Sequence, residues 1–197
     1  FKDADLDGAV LLMLNDDPDW DEDLFAGRRK LQYGRWDYKY ASAARQGAAG
    51  AIIVHTTSSA GYPWPVVRTG SAGEQFELVA GNEPRLAVRA WLTEQASREL
   101  VELSGHDLDR LREAARSRDF QPVELGTSTS IEFRSDVRRT ETANVGGILP
   151  GAGAERELVI YSAHHDHFGI GEPDADGDRI YNGALDNGVA MAQALAV

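Results

Sequence analysis

The sequence predicts an α/β protein built in two blocks, and three observations carry that reading. Short runs rich in Val, Ile and Leu (Val10 to Leu14, Ala51 to His55, Leu158 to Ala163) read as strands. Stretches with apolar residues three and four apart lie between them and read as helices. Glycines punctuate the junctions, as at Gly47, Gly50 and Gly151. The character of the sequence changes after Asp119, and the chain reads as two blocks, 1–135 and 136–197.

The first block opens with Val10 to Leu14, a short buried strand preceded by Gly8. Asn15 to Asp23 is acidic, holds Pro18 and reads as a surface loop. A helix is predicted from Tyr38 to about Gln46, with Tyr40, Ala41 and Ala44 on its buried face. Gly47 and Gly50 end it, and Ala51 to His55 follows as a strand. Gly61 to Gly73, with two prolines and Trp64, reads as a long surface loop. Leu86 to Leu92 alternates, with Leu86, Val88, Ala90 and Leu92 on one face and Trp91 on the other. Thr93 is placed to cap a helix that runs to about Leu103. A further helix starts at Asp107 and groups Leu108, Leu111 and Ala115. Three helices are therefore expected here, and no obvious chemistry.

The second block is predicted as strand, turn, strand, loop and helix. Val123 to Arg134 alternates like a strand at the approach to it. Thr142 to Leu149 is a strand ended by Pro150, and Gly151 to Arg156 is a turn. Leu158 to Ala163 is a strong buried strand, and a helix begins after Gly188. So short a block leaves a parallel-type sheet poorly covered, because such sheets bury both faces. It is expected to be completed by a partner or by more of the natural chain.

Composition narrows the function. The 197 residues are 42% hydrophobic, enough for a core, and 32 acidic against 20 basic residues give a net charge of −12. That excess disfavours nucleic acid and anionic membranes, which need clustered Lys and Arg. With no cysteine, disulfides and thiolate zinc sites are excluded. No run is apolar enough for a membrane span.

The chemistry-bearing residues are His164, Asp166, Asp186 and Asn187, in Tyr161-Ser-Ala-His-His-Asp-His-Phe-Gly169 and Tyr181-Asn-Gly-Ala-Leu-Asp-Asn-Gly188. His164 ends the apolar run, at the carboxyl end of a strand, where open α/β sheets bind ligands. Imidazole suits zinc and similar borderline cations. Asp166 is poorly placed to share an ion with His164 but can hold its imidazole N–H. Asp186, just before a helix, can bridge two cations; alone, it reads equally well as a helix cap. His165 and His167 read first as solvated loop histidines. Asp174, Asp176 and Asp178 invite a calcium-loop reading, but the register would need Gly at 179 and Glu at 185, where Arg179 and Leu185 stand. Glu155, Glu157 and Glu172 follow no buried strand, so none reads as a catalytic base.

Together the two segments resemble the zinc-dependent exopeptidases of family M28. The family pattern Ser-Ala-His-x-Asp-His-Leu-Gly is met by Ser162 to Gly169 except that Phe168 stands at the Leu position, and Tyr-Asn-Gly-Ala-x-Asp-Asn is met by Tyr181 to Asn187. The resemblance implies a di-zinc aminopeptidase or carboxypeptidase that cleaves peptide bonds with a metal-activated water. His164 and Asp186 would be metal ligands, Asp186 bridging the two zinc ions, and Asp166 would support His164. Tyr38 to Val54 and Gly61 to Trp64 resemble a protease-associated domain, a β-sandwich or open barrel flanked by helices. Residues 1–135 would be that domain, and 136–197 the start of the zinc-peptidase sheet domain. The implied partners are a peptide substrate and the remainder of the peptidase domain, and the implied location is secreted or periplasmic.

The family's Glu-Glu pair, which supplies the general base, and its later ligands have no counterpart before Val197. The chain alone is therefore expected to be inactive and to bind zinc weakly. A non-catalytic interaction module, or a receptor-like relative without metals, stays open at this level, as does another two-metal hydrolase.

Overall fold

The computed structural model describes residues 4–17, 29–79, 81–151, 153 and 158–196. The chain divides into two compact units, Phe1–Arg134 and Ser135–Val197. Expectations for 18–23 and for 154–156, and the residues Glu155 and Glu157, lie outside the described residues.

The first unit is built on three parallel strands in the order β1-β2-β3: β1 Val10–Leu14, β2 Gly50–His55 and β3 Val88–Thr93. Leu12 pairs with Ile52 and Ile52 with Ala90, so β2 lies in the middle. All six of its residues are buried, which explains the near-continuous apolar run, since a central parallel strand is covered on both faces. Crossovers between the strands carry helices. Helix α1, Trp36–Arg45, packs Tyr40 and Ala43 on Ala51 and Ile53, with Leu11, Met13 and Trp91 around them. The Tyr40 hydroxyl donates to the Ala90 carbonyl at 2.6 Å and so anchors the helix to β3.

Two short helices follow β2: α2, Thr57–Ala60, and α3, Trp64–Ala72. Helix α4, Glu94–Leu103, packs on β3 and β2, and α5, Leu108–Ala115, packs on α4. The Thr93 hydroxyl accepts from the Ala96 N–H at 3.1 Å, the expected cap. Asp107 caps α5 in the same way, accepting from Arg110 N–H at 2.8 Å.

Several expectations are corrected. The β-sandwich or open barrel is not among the described elements; the sheet is open, parallel and three-stranded. Five α-helices and one 3-10 turn at Gln32–Gly34, rather than three helices, occupy the first unit among the described residues. Ala43 rather than Ala41 faces the core, because Ala41 lies about 100° round the helix from Tyr40. The predicted loop at 61–73 contains α3. Its prolines misled the reading: Pro65 sits in the first turn, where a missing N–H costs nothing. The segment is held by Tyr62 and Trp64, whose rings lie 6.1 and 5.5 Å from the buried His55 ring.

The second unit departs further. Thr142 to Leu149 and Leu158 to Ala163 form no strand, nor does Val123 to Arg134 in the first unit. A strand exists only where a neighbour completes its hydrogen bonds, and among the described residues no strand pairs with these stretches. Leu158, Val159 and Ile160 are 84%, 82% and 81% exposed. The ordered part is a small antiparallel hairpin, β4 Gly169–Ile170 with β5 Ile180–Tyr181, followed by the expected helix, α6 Val189–Ala196. Among the described residues no helix is long and apolar enough to cross a membrane.

One lysine gives the first unit a pH signature. Lys39 reaches from α1 to the end of β1, where its ammonium donates to the carbonyls of Leu14 and Asp16. Burial lowers its pKa from 10.5 to about 8, against the opposing pull of Asp16 and Asp17. The folded value lies below the unfolded one, so the cost of burying the charge is complete below pH 8 and disappears as the unfolded lysine also deprotonates. Between about pH 8 and pH 10 the first unit should gain about 2 kcal/mol from this group. Denaturant titration followed by tryptophan fluorescence reads this unit alone, since all four tryptophans lie in it. Lys39→Met should flatten the slope, and an unchanged slope would refute the assignment.

Candidate metal centre

The β4–β5 hairpin brings together two segments 22 positions apart. Gly169 pairs with Tyr181 and Ile170 with Ile180, and Gly171 N–H donates to the Arg179 carbonyl at 2.9 Å. The acidic loop between the strands closes on itself. Asp174 Oδ1 accepts from the N–H groups of Asp176 and Asp178, both at 2.9 Å, and Asp178 Oδ1 from Ile180 N–H at 2.8 Å. Two of the three carboxylates thus serve the turn, consistent with the solvated-loop reading.

On the open side of the hairpin His164 and Asp186 meet. Nε2 of His164 lies 2.8 Å from Oδ1 of Asp186. The other ring nitrogen, Nδ1, lies 2.7 Å from the Asp166 backbone carbonyl and 3.2 Å from its Oδ1. A carbonyl can only accept, so Nδ1 carries a proton and Nε2 is the nitrogen turned toward Asp186. The Asp166 carbonyl, and after it the Asp186 carboxylate, raise the His164 pKa above its ordinary value. The group is open to water: the side chains of His164, Asp166 and Asp186 are 48%, 86% and 73% exposed.

Asp186 owes its place to one wide turn. Ala184–Gly188 makes a single π-type turn, closed by Gly188 N–H donating to the Gly183 carbonyl at 3.0 Å. Gly183 enters it at φ +66°. The Asp186–Asn187 peptide bond is cis. His165 is exposed. The His167 ring lies 4.6 Å from that of Phe168, which in turn meets Tyr181 edge-on at 6.2 Å. Sequence reading did not anticipate this aromatic tie between the segments, although its residues lie inside both motifs.

The site therefore offers one imidazole nitrogen and one carboxylate oxygen facing each other, a donor pair of the kind zinc accepts. Among the described residues no group of three or more His, Cys, Asp or Glu is arranged to hold a metal ion. The arrangement defines a histidine–carboxylate pair presented by a hairpin and a turn.

Residues 144–197, which contain the whole of that pair, match the family model for peptidase family M28. This stretch of the chain is similar to peptidase family M28. No curated protein and no solved structure gives a significant match.

Proposed function

We propose that this chain is part of an M28-type zinc exopeptidase in which His164 and Asp186 are metal ligands and Asp166 holds the His164 imidazole. The observation that carries the reading is the 2.8 Å approach of Nε2 to Oδ1 across the hairpin, inside the family-matched stretch. A cation bound to both atoms at ordinary zinc distances needs them a few tenths of an ångström further apart, a small adjustment for exposed side chains. Zinc bound there would polarise a peptide carbonyl and acidify a water.

The residues of this chain have separate tasks in that scheme. Asp166, through its carbonyl and carboxylate, keeps the proton on Nδ1 and leaves the Nε2 lone pair for the metal. Asp186 supplies negative charge and a second oxygen able to reach a neighbouring ion. In this scheme the general base and the other ligands are assigned to no residue of this chain. Residues 1–135 carry a likeness to the protease-associated domain only in the segments Tyr38 to Val54 and Gly61 to Trp64, on a sheet that is open and parallel, and no chemistry is assigned to them.

Calorimetric titration of this chain with Zn²⁺ tests the reading. Weak saturable binding with proton release is expected, together with no hydrolysis of aminoacyl or peptidyl amides. Absence of binding would favour the metal-free, receptor-like alternative. Turnover by the chain alone would refute the placement of the base elsewhere.

A further inference from the structure

The turn that carries Asp186 has no room for a side chain at its entrance. A Cβ on Gly183 would stand 2.8 Å from the Asp186 carbonyl oxygen and 2.8 Å from both Cβ and Cγ of His167. The space is thus filled from two sides: by the backbone of the residue that faces His164, and by a side chain three positions after His164. His167 also continues through Phe168 to Tyr181, so one imidazole touches both strands' extensions. The hairpin has only two residues per strand and is too short to fix this geometry alone.

We propose that Gly183 and His167 are positioning residues, a gap and the ring that fills it, which together hold the Asp186 carboxylate opposite His164. The inference rests on the metal reading above and deepens it. His167 acts by shape, not as a ligand: its ring is taken up by Gly183 and Phe168, and the contact to Asp186 is made by His164. Gly183→Ala has two faults. It puts a methyl group against the Asp186 backbone, and it asks an L-residue to adopt φ +66°.

The probe is Co²⁺, followed by its visible absorption in this chain. Gly183→Ala should weaken binding by about tenfold or more, the usual scale for loss of support behind a metal ligand. His167→Ala should weaken it about as much, and His167→Phe, which keeps a ring without nitrogens, should stay within about twofold of the parent. An aromatic replacement that falls as far as alanine would make His167 a ligand and overturn the proposal, as would unchanged affinity in Gly183→Ala. The Phe and Ala variants at 167 guard against a Gly183 variant that fails to fold. If the parent chain binds no Co²⁺, the metal reading itself fails and this inference with it. If the parent binds and the variants do not differ, only the inference falls.

Discussion

Replacing Ile53 with alanine is expected to lower the stability of the first unit by about 3–4 kcal/mol. Ile53 is fully buried in the central strand, with Tyr40, Ala43 and Ala51 in the same cluster and Leu11, Met13 and Trp91 packed against it. The cluster also holds Ala48, and its three alanines, Ala43, Ala48 and Ala51, have no side-chain length to move into the gap, so removal of the branched side chain leaves a cavity that collapses poorly. The transfer loss and the cavity term therefore add. Ile160→Ala removes the same atoms from a residue 81% exposed, and should change stability by less than about 0.5 kcal/mol. Urea titration of both variants decides the matter. A large loss at Ile160 would mean that its segment is packed in solution, as the apolar pattern alone suggests.

The second large effect concerns the metal pair. His164→Ala is expected to reduce Co²⁺ and Zn²⁺ affinity by at least about a hundredfold, since it removes one of only two donors that face each other. Asp186→Asn keeps an oxygen and the shape but loses the charge, and should fall nearly as far. The pH profile supplies the sign. In the metal-free chain the Asp166 carbonyl and the Asp186 carboxylate favour the protonated imidazole. Their stabilising contribution is complete below the ordinary histidine range and fades as pH rises through the raised value. Metal must displace that proton, so affinity should grow with pH across the same interval. Affinity in the parent that is flat from pH 6 to pH 8.5 would refute ligation by His164, and full affinity in His164→Ala would refute it directly.

Sequence pattern told most where local rules and packing agree. Ala51 to His55, the capping Thr93, and α1 to within two residues all follow from periodicity and cap chemistry, whereas Asp107 reads in the sequence only as a helix start and not as the cap it makes. At 61–73 the same rules misled, because Pro65 signals a loop and a first helical turn equally well. Leu158 to Ala163 shows a different limit. Hydrophobicity says that a segment needs cover, but not which polypeptide provides it. At the site, His164 and Asp186 were legible only as a pair of motifs. Their separation of 2.8 Å depends on a hairpin whose strands are too short to announce themselves. The role of Gly183 could not be read from composition, since a glycine's importance lies in what surrounds it.

Leu158, Val159 and Ile160 adjoin one another without proline or charge, and water reaches most of each side chain. Unpaired backbone and β-favouring residues in one short stretch form a template on which identical chains can stack in register. At high concentration the free chain is therefore expected to self-associate through this stretch, and a polypeptide that covers it would suppress the effect.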